Sequence, residues 1–99
     1  MTEFRANDKI FLSKMGELYM HELGVLRHVV MTVAKSAKEN NIGEIKHITL
    51  EVGNESSYVL HYLEKLFPVA LKFHPELGTP ELKLIQVEGN KLQIKEYGY

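Results

Sequence analysis

The 99-residue chain contains no cysteine and no tryptophan. The first absence excludes disulfides, thiolate chemistry and every cysteine-based zinc site, so zinc is not expected. An excess of either charge is missing too: 12 Lys and Arg against 13 Asp and Glu give a formal net charge of -1. Such a balance creates no strong field toward nucleic acid or anionic membrane, and neither partner is expected. No apolar run approaches the ~20 residues of a membrane span. The N-terminus has no basic patch leading into an apolar core and a small-residue cleavage site. A cytoplasmic location is the resulting expectation. No serine or threonine stands in a nucleophile motif and no glycine-rich loop resembles a phosphate cradle, so no enzyme is expected.

What is present describes an ordinary small domain. Hydrophobic residues make up 44% and charged residues 25%, near the average for globular proteins. One domain with a modest core fits this length. Apolar residues at spacings of three and four predict a first helix from about Glu22 to Asn40. Leu23, Leu26, Val30, Val33, Ala34 and Ala37 face inward. Asn40-Asn41-Ile42-Gly43 is a stop signal, because Asn tolerates the left-handed conformation that closes a helix. The same stripe extends back through Met15, Leu18 and Tyr19. A break at Met20-His21-Glu22 is favoured over one long helix, since Gly24 is a poor interior residue. The tripeptide then forms a short strand.

Residues 45–52 alternate, with Ile48, Leu50 and Val52 on one face and His47, Thr49 and Glu51 on the other. This pattern reads as a strand with one buried side. Ser56 or Ser57 can cap a second helix over about 58–73, with Val59, Leu63, Leu66, Phe67, Ala70 and Leu71 inside. Pro68 should kink or split that helix near Leu66. Two strands follow at 81–88 and 91–97. A phase switch in the first predicts a bulge near 84–86. Gly89-Asn90 between them suits a tight hairpin turn. The expected fold is α+β: two layers, with a small, mostly antiparallel sheet of three to four strands and two helices on one face. Its other face is half polar, with His47, Thr49, Glu51, Lys83, Gln93 and Lys95, and is open to solvent, to cover by residues 1–19 or to self-association as a homodimer.

Several stretches, in order, resemble one family. M-H-E-L-G-V-L-R-H-V-V-M-T-V, residues 20–33, is similar to the opening strand and helix of the HypA/HybF family of nickel-insertion accessory proteins. I-K-H-I-T-L-E-V-G-N-E-S-S resembles the family strand that ends in G-E-L-S-S. H-Y-L-E-K-L-F-P-V-A resembles its second helix, proline included. E-L-K-L-I-Q-V and L-Q-I-K-E-Y are similar to the strands flanking the family's zinc module. That module, with its two CxxC pairs, is replaced here by Gly89-Asn90. Asn54 stands where the family often has glutamate, and Leu60 where it often has proline. The likeness divides the chain into residues 1–19, an extension without counterpart, and residues 20–99, a HypA-like domain lacking the zinc insertion.

The resemblance implies nickel binding at Met20, His21 and Glu22. In the family the chain begins Met-His-Glu, and the metal takes the terminal amine, backbone amide nitrogens and the imidazole. Nickel(II) with strong nitrogen donors favours such planar sets. As written, Met20 offers an amide nitrogen instead of an amine, and weaker binding is expected of the extended form. His28, seven residues on, is a conceivable substitute ligand. Met15-Gly16-Glu17 can be encoded by a purine-rich ribosome-binding sequence spaced for initiation at Met20. The implied role is a metallochaperone for a nickel enzyme such as hydrogenase, with a maturation GTPase or nickel-enzyme apoprotein as partner. The alternative is a degenerate HypA-like module that binds protein and no metal. His47, His61 and His74 lie on separate elements without the close pairing of a zinc site. Glu51, Glu55 and Glu64 read as surface charge, and Tyr97 and Tyr99 as packing residues.

Overall fold

The computed structural model describes the backbone of residues 14–99 and the side chains from His21 onward. The earlier part of the extension, residues 1–13, lies outside the described residues. Helix α1 spans Lys14–Glu39, strand β1 His47–Gly53 and helix α2 Leu60–Leu71. A short 3-10 turn covers Pro75–Leu77, and strands β2 (Glu81–Val87) and β3 (Leu92–Gly98) complete the chain. Two helices and a three-stranded mixed sheet make an α+β fold.

Helix α1 does not break at Met20-His21-Glu22; that tripeptide is helical, and the sheet has no fourth strand there. Gly24 costs only about 1 kcal/mol inside a helix. That penalty is small against a stripe that buries Leu26, Val29, Val30, Val33, Ala34 and Ala37. The C-terminus closes as the Asn pair predicts. Asn41 takes φ 58°. The Ile42 amide donates to the Ala37 carbonyl at 2.8 Å, and the Asn41 amide to Lys38 at 3.2 Å. These two bonds are the paired closure of a Schellman motif.

Strand β1 is central, in the order β2-β1-β3. It runs parallel to β2 and antiparallel to β3. Ile48, Leu50 and Val52 are buried under the helices, flanked by half-buried Leu82 and Leu84 on one side and Leu92, Ile94 and Tyr97 on the other. The Tyr97 hydroxyl meets Ser36 Oγ at 2.7 Å and ties β3 to α1. On the opposite face Gln93 donates to Glu51 at 3.0 Å, and His47 lies 3.7 Å from Glu96. Thr49, on that face, is nevertheless buried between Lys83 and Glu96.

Three local expectations are corrected. Strands β2 and β3 form no hairpin, because β1 lies between them. Residues 88–91 instead pass over the end of β1. Gly53 donates to Lys91, Asn54 to Val87 and Glu55 to Gly89, at 2.7 to 2.8 Å. The Gly89 amide in turn donates to Asn54 Oδ1 at 3.3 Å. The bulge falls in β3, where pairing jumps from Thr49↔Glu96 to Leu50↔Ile94 and leaves Lys95 extra. β2 keeps unbroken parallel register, and its phase switch turns Ile85 outward. Helix α2 continues through Pro68 rather than splitting. Pro68 and Glu64, whose carbonyl loses its partner, are both exposed, so water can satisfy the freed group.

Candidate metal site

Residues 20–22 lie inside α1, and the side chains of His21 and Glu22 face the turn that leads into α2. The i→i−4 pattern of a helix spanning Lys14–Glu39 engages the amides of Met20, His21 and Glu22 with the carbonyls of Gly16, Glu17 and Leu18. A planar set built on those amide nitrogens therefore does not fit this part of the helix while residues 14–19 remain wound.

The His21 side chain does suit a ligand role. It is exposed, and its ring lies parallel to that of Tyr58, with centroids 4.3 Å apart and planes 5° from parallel. Its Nε2 meets Ser57 Oγ at 3.0 Å. That contact leaves Nδ1, the nitrogen nearer the backbone, without a hydrogen bond among the described residues.

Glu22 is placed quite differently. Its side chain is fully buried. Oε2 accepts the Val59 amide at 2.7 Å, at the N-terminal boundary of α2. Val59 provides no side-chain cap, and neither serine takes the expected capping role. Ser56 donates to the Gly53 carbonyl at 2.7 Å and Ser57 turns to His21. The carboxylate therefore reaches across from α1 to satisfy an amide that local sequence leaves open, where the helix dipole also favours negative charge. Its other oxygen, Oε1, is buried without a partner. Burial pushes the Glu22 carboxyl above the usual carboxylate range, and the Val59 hydrogen bond only partly opposes this. The Tyr58 phenol is raised too, by burial and then by the neighbouring Glu22 charge. Glu22 thus offers a backbone nitrogen at most; its carboxylate is turned into the protein.

No group of three or more His, Asp or Glu side chains converges on a metal position among the described residues. His28 is exposed, and its carbonyl accepts the Thr32 hydroxyl at 2.8 Å. His61 tilts against Tyr62, and His47 faces Glu96. His74 Nδ1 lies 3.1 Å from Glu76, whose carboxyl is held low by its own backbone amide and then by His74. The residues that touch His21, Ser57 and Tyr58, carry no sequence signal that makes them its neighbours. The sequence marks Ser57 only as a candidate helix cap.

Two helices packed on a three-stranded mixed sheet define a small two-layer α+β domain, with His21 stacked on Tyr58 where α1 meets the turn into α2. Residues 20–96 match the model of the HypA family, described as hydrogenase/urease nickel incorporation, metallochaperone. The chain belongs to this family, whose members are non-catalytic accessory proteins. Lacking cysteine, it has no ligands for the family's zinc module. No curated protein and no solved structure matches the chain. Among the described residues no helix is long and apolar enough to cross a membrane.

Proposed function

We propose that this protein is a zinc-free, cytoplasmic nickel-insertion accessory protein, with nickel as cargo rather than as a resident cofactor. The ion would be held by the Met20 amine, the amide nitrogens of His21 and Glu22, and the His21 imidazole. A maturation GTPase or nickel-enzyme apoprotein would receive it. The observation that carries this reading is the start of the family match at Met20, beside an imidazole whose Nδ1 is unengaged.

The amides follow from helix physics. In a chain that begins at Met20, no carbonyl lies four residues back. Its first amides become the unpaired donors of a helix start. Residues 14–19 remove the amine and occupy the amides together. A second reading, a HypA-like module that binds protein and not metal, is favoured by that occupation and by the inward turn of Glu22.

Nickel titration of two forms, starting at Met1 and at Met20, decides between them. The Met20 form should bind with the absorption of a planar nickel site, and His21→Ala should abolish it. The Met1 form should bind more weakly. If neither form binds, the nickel reading fails. Intact-mass measurement from the native host identifies the methionine used.

A further inference from the structure

We infer that the open edge of β2 is a self-association surface, on which a second copy of this chain lays its own β2 antiparallel about a two-fold axis at Leu84. The order β2-β1-β3 leaves each outer strand with a free edge among the described residues. The two edges are not alike. β3 carries the bulge and the extra Lys95, devices that spoil an edge for pairing. β2 runs for seven residues in unbroken register, with no proline between Glu81 and Val87. A regular edge of this kind is a template for another strand.

Two hydrogen bonds fix which backbone groups face outward. The Glu81 amide donates to the Lys46 carbonyl at 2.9 Å, and the Asn54 amide donates to the Val87 carbonyl at 2.7 Å. Alternate residues of a strand turn both backbone groups to the same side, so residues 81, 83, 85 and 87 serve β1. Leu82, Leu84 and Gln86 turn their N–H and C=O groups to the open edge. With Leu84 opposite Leu84 of the second copy, Leu82 falls opposite Gln86 on either side of the axis. That register engages every one of those N–H and C=O groups. Centring on residue 83 instead sets Lys83 against Lys83, like charges at close range, and directs Gln86 at Pro80, which has no amide to give. Centring on residue 85 directs Leu82 at residue 88, which already belongs to the crossing over β1. The side chains agree with the first choice. Ile48, Leu50 and Val52 of the central strand are fully buried, whereas Leu82 and Leu84 are half-buried and Ile85 is 39% exposed. In the dimer Leu84 meets its twin, and Ile85 lies beside the stem of Lys83, whose ammonium stays in water. The product is one continuous sheet in the order β3-β1-β2-β2-β1-β3.

The test is sedimentation equilibrium of the full chain at up to about 1 mM, a range that detects even a weak interface. The average mass should rise with concentration toward twice that of one chain. Gln86→Pro removes an amide that faces the open edge and makes no bond to β1, so the fold should survive and the dimer should not. Ile85→Lys places a lysine opposite Lys83 of the other copy and should weaken association about tenfold. Ile85→Glu places opposite charges there and should keep association within about threefold of wild type. Circular dichroism checks that each variant is folded; should Gln86→Pro fail to fold, the Ile85 pair decides alone. A full chain that stays monomeric at the highest concentration overturns the inference. So does a dimer that survives in folded Gln86→Pro, or one that Ile85→Lys and Ile85→Glu weaken alike.

Discussion

Adding one methyl group at two glycines should move stability in opposite directions. Gly53 is buried at the end of β1, under residues 88–91. A Cβ there would lie 2.6 Å from the Gly89 carbonyl carbon and 2.9 Å from the Asn90 nitrogen, and closer still to the Gly89 oxygen. All three are backbone atoms, so no side chain can swing away. Overpacking of this kind costs about 1–3 kcal/mol. Displacing the crossing would also loosen at least one of the bonds from Gly53, Asn54 and Glu55, worth about 0.5–1.5 kcal/mol each. Gly53→Ala should therefore lose about 2–4 kcal/mol, or roughly 10–25 °C in melting temperature for a domain of this size. At Gly24 a Cβ meets no described atom within 4 Å. Gly24→Ala should gain about 0.5–1 kcal/mol by removing glycine from a helix interior. Thermal and urea unfolding of the two variants, read by circular dichroism, measure both. A Gly53→Ala protein that melts with the wild type would refute the crossing over β1, because a local β2–β3 hairpin would leave that position open. A destabilised Gly24→Ala protein would refute a helix that runs unbroken through residue 24.

Glu22 gives a pH prediction. Its carboxyl is raised on folding, chiefly by burial. Its stabilising contribution is fully present below the ordinary carboxylate value and is lost as pH rises through the higher folded value. Glu22→Gln keeps an acceptor for the Val59 amide but cannot titrate. The stability of wild type relative to this variant should fall as pH rises above the ordinary carboxylate range in denaturant titrations; a rise with pH there would show the opposite shift. Tyr97→Phe removes the hydroxyl that meets Ser36 at 2.7 Å. It should cost about 0.5–1.5 kcal/mol, and a double-mutant cycle with Ser36→Ala should be non-additive. Leu50→Ala, at the fully buried centre of β1, should cost about 2–5 kcal/mol in the same unfolding assay.

The elements were legible in the sequence where a periodic stripe governs them. Spacing marks Leu26, Val30, Val33, Ala34 and Ala37 as core, and all five are buried. The run Asn40-Asn41-Ile42-Gly43 signals a helix stop, and Asn41 takes the left-handed conformation there. The strand order was not legible. Gly89-Asn90 carries a local hairpin signal, but the choice of neighbour for β2 is made by pairing with residues 47–53, far away in the chain. At the candidate site, the family resemblance pointed to His21, whereas its actual neighbours come from a turn more than thirty residues later. Glu22 shows the same limit. A glutamate in an amphipathic segment looks solvated, and nothing near it in the chain announces that the amide of Val59 awaits it.

Because β1 separates the last two strands, neither can find a sheet partner in the other. A fragment comprising residues 81–99 holds none of the native ladder, since every sheet bond of β2 and β3 is made to β1. Each of the two strands must close a long loop onto residues 47–53 before it gains its native partner. During synthesis the C-terminal fifth of the protein would thus be the last to gain protection, and a ribosome-stalled chain ending before β3 would present one naked flank of β1 to any passing strand.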